Sequence, residues 1–466
     1  MSSMSVLTRD EAQNRAQLLD VHRYTIELDL TTGEETFESR TAIRFTARAD
    51  GTTFVELKPA ELRSATLDGQ PLDTAALTGN RLPLADLAAG EHELRVHATM
   101  RYSRTGEGMH RFTDPTDGET YLYTQLFMDD VQRVFTAFDQ PDLKAVFELT
   151  VTAPDGWSVL ANGITEHLGD GRWKAAPTPL ISTYLVAVAA GPWHSVTTEH
   201  RGLPFGIHCR RSLAPHLDAD ADELLEITRQ CFDRYHEKFD EPYPFDSYDQ
   251  AFVPEFNAGA MENPGLVTFR DEFVYRSAVT DTERQTRAMV VAHEMAHMWF
   301  GDLVTLRWWD DIWLNESFAE YMGYQTLTEA TRFTDTWTDF GVVRKAWGYD
   351  ATSAPPPTPS PPKPSPTPPP RSSTSTASPT PRAPPPSASS SPGSARRTSW
   401  PASTPTSPAT ASATPPSPTS STPSPPPPNA TSTPGPTPGC APPASTPSSP
   451  SSPAPAASTP SPSNTT

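Results

Sequence analysis

Two periodicities divide the first 350 residues of the chain. From His22 to about Pro192, apolar and polar side chains alternate as they do on strands with one buried face. Tyr24, Ile26, Leu28 and Leu30 share one side, and Thr31-Thr32-Gly33 then turns the chain. Val146, Glu148, Thr150 and Thr152 alternate against Phe147, Leu149 and Val151, and Thr183 to Ala190 reads as a buried strand. Many short segments of this period predict an all-β unit. After Pro215 the period lengthens. Leu224, Leu225, Ile227, Cys231, Phe232 and Tyr235 lie at helical spacing within Asp218 to Phe239. A second helix is expected to start at the cap candidates Thr280 and Thr282, with Glu283 in its first turn, and to run to about Phe300. A third is expected from Trp313 to about Tyr324. The pattern predicts an N-terminal extension over 1–20, a β domain over 21–194 and a mixed α+β domain over 195–350, still under way at Tyr349.

Neither period continues beyond Ala351. Of the 54 prolines, 39 lie in 351–466, whereas all 56 acidic residues lie before it. With almost no large apolar side chains, that segment cannot offset the entropy of ordering and is expected to be a disordered Pro/Ser/Thr-rich tail. The first 350 residues then carry 31 basic and 56 acidic side chains, a net −25. Such an acidic excess argues against nucleic acid or an anionic membrane as the main partner. No apolar run approaches the roughly 18 residues of a spanning helix, and Met1 to Asp20 lacks the apolar core of a signal peptide. Cys209, Cys231 and Cys440 make neither a disulfide framework nor a C-x-x-C site, so a cytoplasmic location is expected.

The second helix contains His293-Glu294-Met295-Ala296-His297, an H-E-x-x-H pattern. Histidines four apart project from one helical face and can share a cation, and with a third ligand they hold catalytic zinc while leaving a position open. Glu316, in Trp313-Leu314-Asn315-Glu316-Ser317 on the next helix, is the candidate third ligand. Alone, H-E-x-x-H also arises by chance on surface helices. A further motif, Gly259-Ala260-Met261-Glu262-Asn263, stands about thirty residues earlier, in an expected edge strand.

G-A-M-E-N, H-E-x-x-H and an N-E pair in this order and spacing resemble the aminopeptidase N family, the zinc aminopeptidase branch of the gluzincins. Trp308-Trp309-Asp310-Asp311 and Phe138-Asp139-Gln140-Pro141 match as well, and the resemblance covers about residues 20–349. It implies an α+β multidomain fold: a saddle-like all-β domain, then a thermolysin-like zinc peptidase domain over 195–350, here incomplete. It implies one zinc ion per chain on His293, His297 and Glu316, with Glu294 as general base toward a zinc-bound water. Glu262, within Gly259, Ala260, Met261 and Asn263, would bind the free α-ammonium of a peptide, and Gln125 would line the amine and side-chain pocket. A carboxylate one residue's length from the metal counts off a single N-terminal residue, which implies an exopeptidase acting on peptides with a free N-terminus. Many family members carry an acid or amide two positions after the glutamine, where this chain has Phe127; Glu262 then carries more of the recognition, or Asp129 substitutes. Glu320, four residues after Glu316, is placed either to orient a ligand histidine or at the core edge; His110 and His208 read as ordinary residues.

The tail departs further. The family's oxyanion tyrosine would follow the third ligand, yet no tyrosine follows Tyr349. A linker or stalk, a Pro-rich ligand segment with P-x-x-P registers over Pro355 to Pro370, and a frameshift compete. Apart from Lys363, Asn429 and Asn464, every tail residue can be encoded with C or G at the middle codon position, as a one-base slip in a GC-rich gene produces. Shifted back one base, Thr374 to Ala383 permits N-F-D-G-I-T-Y-A-K-G, the expected tyrosine motif. The chain is therefore expected to be cut short within its catalytic domain, with little turnover. A zinc- or peptide-binding remnant, an interaction protein working through the tail, and an epoxide hydrolase of the same superfamily are the other readings.

Overall fold

The computed structural model describes residues 6–353, and the expected tail and its frameshift lie outside the described residues. The N-terminal extension contains a helix, α1 (Arg9–Leu18). Thr8 Oγ1 accepts from the Glu11 N–H while the Glu11 carboxylate accepts from the Thr8 N–H, a reciprocal cap that satisfies orphan donors at both positions. Arg15 is buried beneath this helix. Its Nη1 donates to both oxygens of Glu56 at 2.7 and 3.0 Å and its Nε to Gln140 Oε1 at 2.7 Å, which ties α1 to the strands.

The alternating segments form an eight-stranded sheet, in the order Thr165–Gly169, Arg172–Ala175, Val146–Thr152, Leu19–Asp29, Thr36–Ala47, Gly90–Arg101, Glu61–Leu67 and Gln70–Pro71. Leu19–Asp29 pairs in parallel with Val146–Thr152, Arg23 opposite Val146, and antiparallel with Thr36–Ala47. One face of these strands is buried, with Tyr24 stacked on Phe147 at 4.8 Å between centroids and Phe45 edge-on to Phe138. A four-stranded antiparallel sheet follows, in the order Ser158–Ala161, Val188–Gly191, Thr120–Gln125 and Gly108–Thr113. It carries Gln125 at the end of its strand. The buried strand expected over Thr183 to Ala190 requires correction: Thr183–Leu185 is a 3-10 turn, and extended pairing begins only at Val188. The run is buried throughout, so its apolar character reported burial rather than backbone conformation.

A mixed sheet forms the floor of the next unit, in the order His194–His200, Leu203–Cys209, Tyr248–Val253, Leu266–Arg270 and Ala260–Met261. The three middle strands are parallel, and Ala260–Met261 is an antiparallel edge, Met261 opposite Thr268. Helix α2 (Ala214–Lys238) buries Leu217, Leu224, Leu225, Cys231, Phe232 and Tyr235. Helix α3 (Asp281–His297) starts at Thr280 with a second reciprocal cap through Glu283 and is almost wholly buried from Arg287 onward. The buried Arg287 is matched by Asp220 at 2.6 Å and Glu223 at 2.9 Å on α2. Helix α4 (Ile312–Ala330) packs on α3 through Gly323, where a Cβ would stand 3.2 Å from His293 Cα and N. Short helix α5 (Thr336–Asp339) and α6 (Lys345–Ser353) close the described chain, α6 running past the boundary expected at 350. Arg210 joins the two units, its Nη1 at 2.5 Å from Asp114 and its Nε at 2.7 Å from Asp271.

Candidate metal centre

The spacing of four puts His293 and His297 on one face of α3, with their Nε2 atoms 3.1 Å apart. Helix α4 brings Glu316 Oε2 to 3.6 Å from each. A tetrahedral zinc with N and O ligands separates its donor atoms by about 3.3–3.5 Å, so this triangle has the size of that coordination shell. The chemistry agrees. Two imidazole nitrogens this close, beside a buried Glu316 oxygen with no hydrogen-bond partner among the described residues, need a shared positive charge.

The surroundings point the same way. Burial works to lower His293, but Glu316 and Glu320 outweigh it and push it up to about 9. Burial likewise opposes the upward shift of His297, which Glu262 and Glu316 drive. The other ring nitrogens are also engaged: His297 Nδ1 donates to the Phe300 carbonyl at 3.0 Å, and His293 Nδ1 lies 3.2 Å from Glu320 Oε2. Both rings thereby turn Nε2 inward. Of the two readings of Glu320, the structure places it beside His293, a candidate ligand.

Glu294 is buried with neither carboxylate oxygen partnered among the described residues, and burial pushes it up to about 8. Glu262 follows the Ala260–Met261 edge strand and is 1% exposed, its Oε1 unpartnered among the described residues. An oxygen of Glu262, an oxygen of Glu294 and a His297 nitrogen lie within 4.8 Å of one another, as do the His293, His297 and Glu316 donors. Backbone contacts set the strand: Arg270 N–H donates to the Gly259 carbonyl at 3.0 Å, Ala260 pairs with Phe269, and Asn263 Nδ2 donates to Thr268 Oγ1 at 3.3 Å. Gly259, Ala260 and Asn263 thus shape the strand that delivers Glu262. Gln125 reaches this strand from the β unit, its Nε2 3.6 Å from Met261 Sδ.

Phe127 is a packing residue. Its ring meets Tyr184 at 5.7 Å and Trp309 at 5.5 Å, and those two meet each other at 5.2 Å. Asp129 is solvent-exposed. Sequence reasoning missed two buried groups here. Tyr184 is fully buried, its hydroxyl unpartnered among the described residues and its electrostatic neighbours Glu262, Asp302 and Glu316. Asp302 is fully buried, and its N–H donates to the His297 carbonyl at 3.0 Å. Lys144 donates to its main-chain oxygen at 2.7 Å, while its carboxylate has no partner among the described residues. An acid inside the apolar run Met298-Trp299-Phe300-Gly301-Asp302-Leu303-Val304 was the available signal. His110 and His208 lie elsewhere, paired with Glu255 and Asp249.

A β unit abutting an α+β unit, with two imidazoles and a carboxylate converging from packed helices and a glutamate beside them, is the architecture of a metallopeptidase. Residues 21–185 match the peptidase M1 N-terminal domain and residues 223–361 the peptidase family M1 domain. The chain belongs to peptidase family M1, among the relatives of aminopeptidase N. It is 50% identical to an aminopeptidase N of Streptomyces lividans over 75% of this chain and 42% of that protein. Over 54% of this chain and 72% of the relative, it is 36% identical to an aminopeptidase N of Acetobacter pasteurianus. It is 37% identical to the puromycin-sensitive aminopeptidase of Caenorhabditis elegans over 46% of this chain and 23% of that one. The chain therefore spans less than half the length of the Streptomyces relative.

Proposed function

We propose that the chain carries the metal and amine-recognition site of a zinc aminopeptidase that releases N-terminal residues from peptides. The observation that carries it is the His293–His297–Glu316 triangle, with Glu294 and Glu262 both turned to the same histidine. Zinc held by the three would supply Lewis acidity toward the scissile carbonyl and acidify water. Glu294, one position after a ligand and free of competing hydrogen bonds among the described residues, accepts the proton of the attacking water and returns it to the leaving amine. Glu262 receives the substrate α-ammonium as a charge-assisted hydrogen bond, stronger for being buried. Gln125 lines the same end. With the ammonium fixed beside the metal, the first peptide bond is the one that falls within reach.

The proposal extends to one zinc per chain, to the 21–194 and 195–350 division, and to a cytoplasmic setting. The buried free thiols of Cys209 and Cys231 support that setting, and no described helix is long and apolar enough to cross a membrane. The test is zinc content together with hydrolysis of paired peptides, one with a free N-terminus and one N-acetylated. Stoichiometric zinc and cleavage confined to the free-amine peptide are expected. Equal cleavage of both would sink the exopeptidase assignment. Binding of zinc and peptide without turnover would establish the binding remnant instead.

A further inference from the structure

The two candidate histidine ligands are held differently. His297 Nδ1 donates to a main-chain carbonyl of its own segment, Phe300 at 3.0 Å. His293 is bracketed by α4. Glu316 Oε2 lies 3.6 Å from its Nε2, and Glu320, one turn further along the same helix, puts Oε2 at 3.2 Å from its Nδ1. One helix thus offers a carboxylate to each nitrogen of a single imidazole. Two like charges four residues apart repel one another, and both are largely buried. The compensating charge comes from Arg344 in the segment after α5, whose Nε forms an ion pair with the other oxygen of Glu320, Oε1, at 2.8 Å. Glu320 is thereby held between a fixed cation and the imidazole.

We propose that Arg344 and Glu320 act as a positioning pair for His293. Arg344 fixes the carboxylate of Glu320, which accepts the Nδ1 proton of His293 and presents its Nε2 lone pair to the metal. The inference rests on the zinc reading above and assigns a role to residues outside the ligand set. Outer hydrogen bonds of this kind change metal affinity by about 10- to 100-fold. Because Arg344 acts only through Glu320, its contribution vanishes once that carboxylate is gone.

The test uses the full chain and four variants: Glu320→Ala, Glu320→Gln, Arg344→Met, and the Glu320→Ala/Arg344→Met double. Zinc affinity is read by competition with a chelating dye, and the visible spectrum of the cobalt-loaded chain reports the ligand field at the site. Glu320→Ala should weaken zinc binding by about 10- to 100-fold and shift the cobalt bands. Glu320→Gln, whose amide oxygen still accepts from Nδ1, should lie between it and the parent. Arg344→Met should cost several-fold alone and nothing further in the Glu320→Ala background. An equal loss from Arg344→Met in both backgrounds, or an unchanged affinity in Glu320→Ala, overturns the positioning pair. A parent chain that takes up no zinc overturns the metal reading beneath it.

Discussion

Replacing Gly323 by alanine tests whether the metal triangle depends on the close approach of α3 and α4. Gly323 lies two turns along α4 from Glu316, and a Cβ there would stand 3.2 Å from both His293 Cα and N and 3.4 Å from its Cβ. Those neighbours include the backbone of a helix buried on all sides, so α4 rather than α3 must give way by a few tenths of an ångström. Two terms of opposite sign compete. Alanine in place of glycine inside a helix gains about 1 kcal/mol, while overfilling a packed contact costs about 1–3 kcal/mol. The net effect on folding is a loss of up to about 2 kcal/mol by the same balance. The effect on the site is larger in proportion, because displacing α4 moves Glu316 Oε2 away from two histidines it already meets at 3.6 Å. Denaturant unfolding of the metal-free chain and dye-competition zinc affinity separate the two quantities. A variant that is more stable by the full helix-propensity gain and binds zinc as the parent does would refute the reasoning, since the contact would then impose nothing on the site.

Arg15→Met leaves Glu56 buried without its cation; a loss of about 3–5 kcal/mol in denaturant unfolding is expected, and a loss under about 1 kcal/mol would show that α1 is not held this way. Although burial raises it, Asp114 is held down at about 2 by Ser212, the Thr116 N–H and Arg210, against an ordinary 3.8. Its stabilisation of the junction between the two units is complete above pH 3.8 and lost as pH falls toward 2, so Asp114→Asn should flatten the acid limb of a pH series of unfolding midpoints. An unchanged acid limb would count against this. Glu262→Gln in the zinc-loaded chain should weaken calorimetric binding of free-amine peptides by roughly 10-fold or more, as loss of a charged hydrogen bond requires, and leave N-acetylated peptides unaffected. Equal weakening of both would remove Glu262 from amine recognition.

What the sequence made legible were features written into local spacing. The period of two in Leu19–Asp29 and Val146–Thr152, the Thr280–Glu283 cap and the four-residue step from His293 to His297 each depend on near neighbours, and each stands in the fold as its spacing predicts. Helix α1 shows how a local signal goes unread. Its Thr8–Glu11 cap is plain, but only Ala12 and Arg15 are buried, so no apolar stripe announced a helix. The 3-10 turn at Thr183–Leu185 was hidden for the opposite reason, since a run buried on every side carries no period. Phe127 and Arg344 were beyond sequence reasoning altogether. Their roles are set by partners distant in the chain, Tyr184 and Trp309 for one and Glu320 for the other.

Charge balance ties these pieces together. Around the two histidines stand Glu262, Glu294, Asp302, Glu316 and Glu320, all buried or nearly so, against Lys144 and Arg344 among the described residues. Counted as ionised groups, the cluster is three positive charges short. Uncompensated carboxylates in such an interior cost several kcal/mol each, so they either take up protons or await cations. Burial raises Glu262, Glu294 and Asp302, which favours the first solution, while the neighbouring carboxylates push His293 and His297 up against burial. A divalent metal on the triangle and one substrate ammonium at Glu262 supply three charges together. On the proposed reading the site is thus built for both cations at once, and neither alone neutralises it. This is a physical reason for an enzyme of this design to prefer peptides that still carry a free amine.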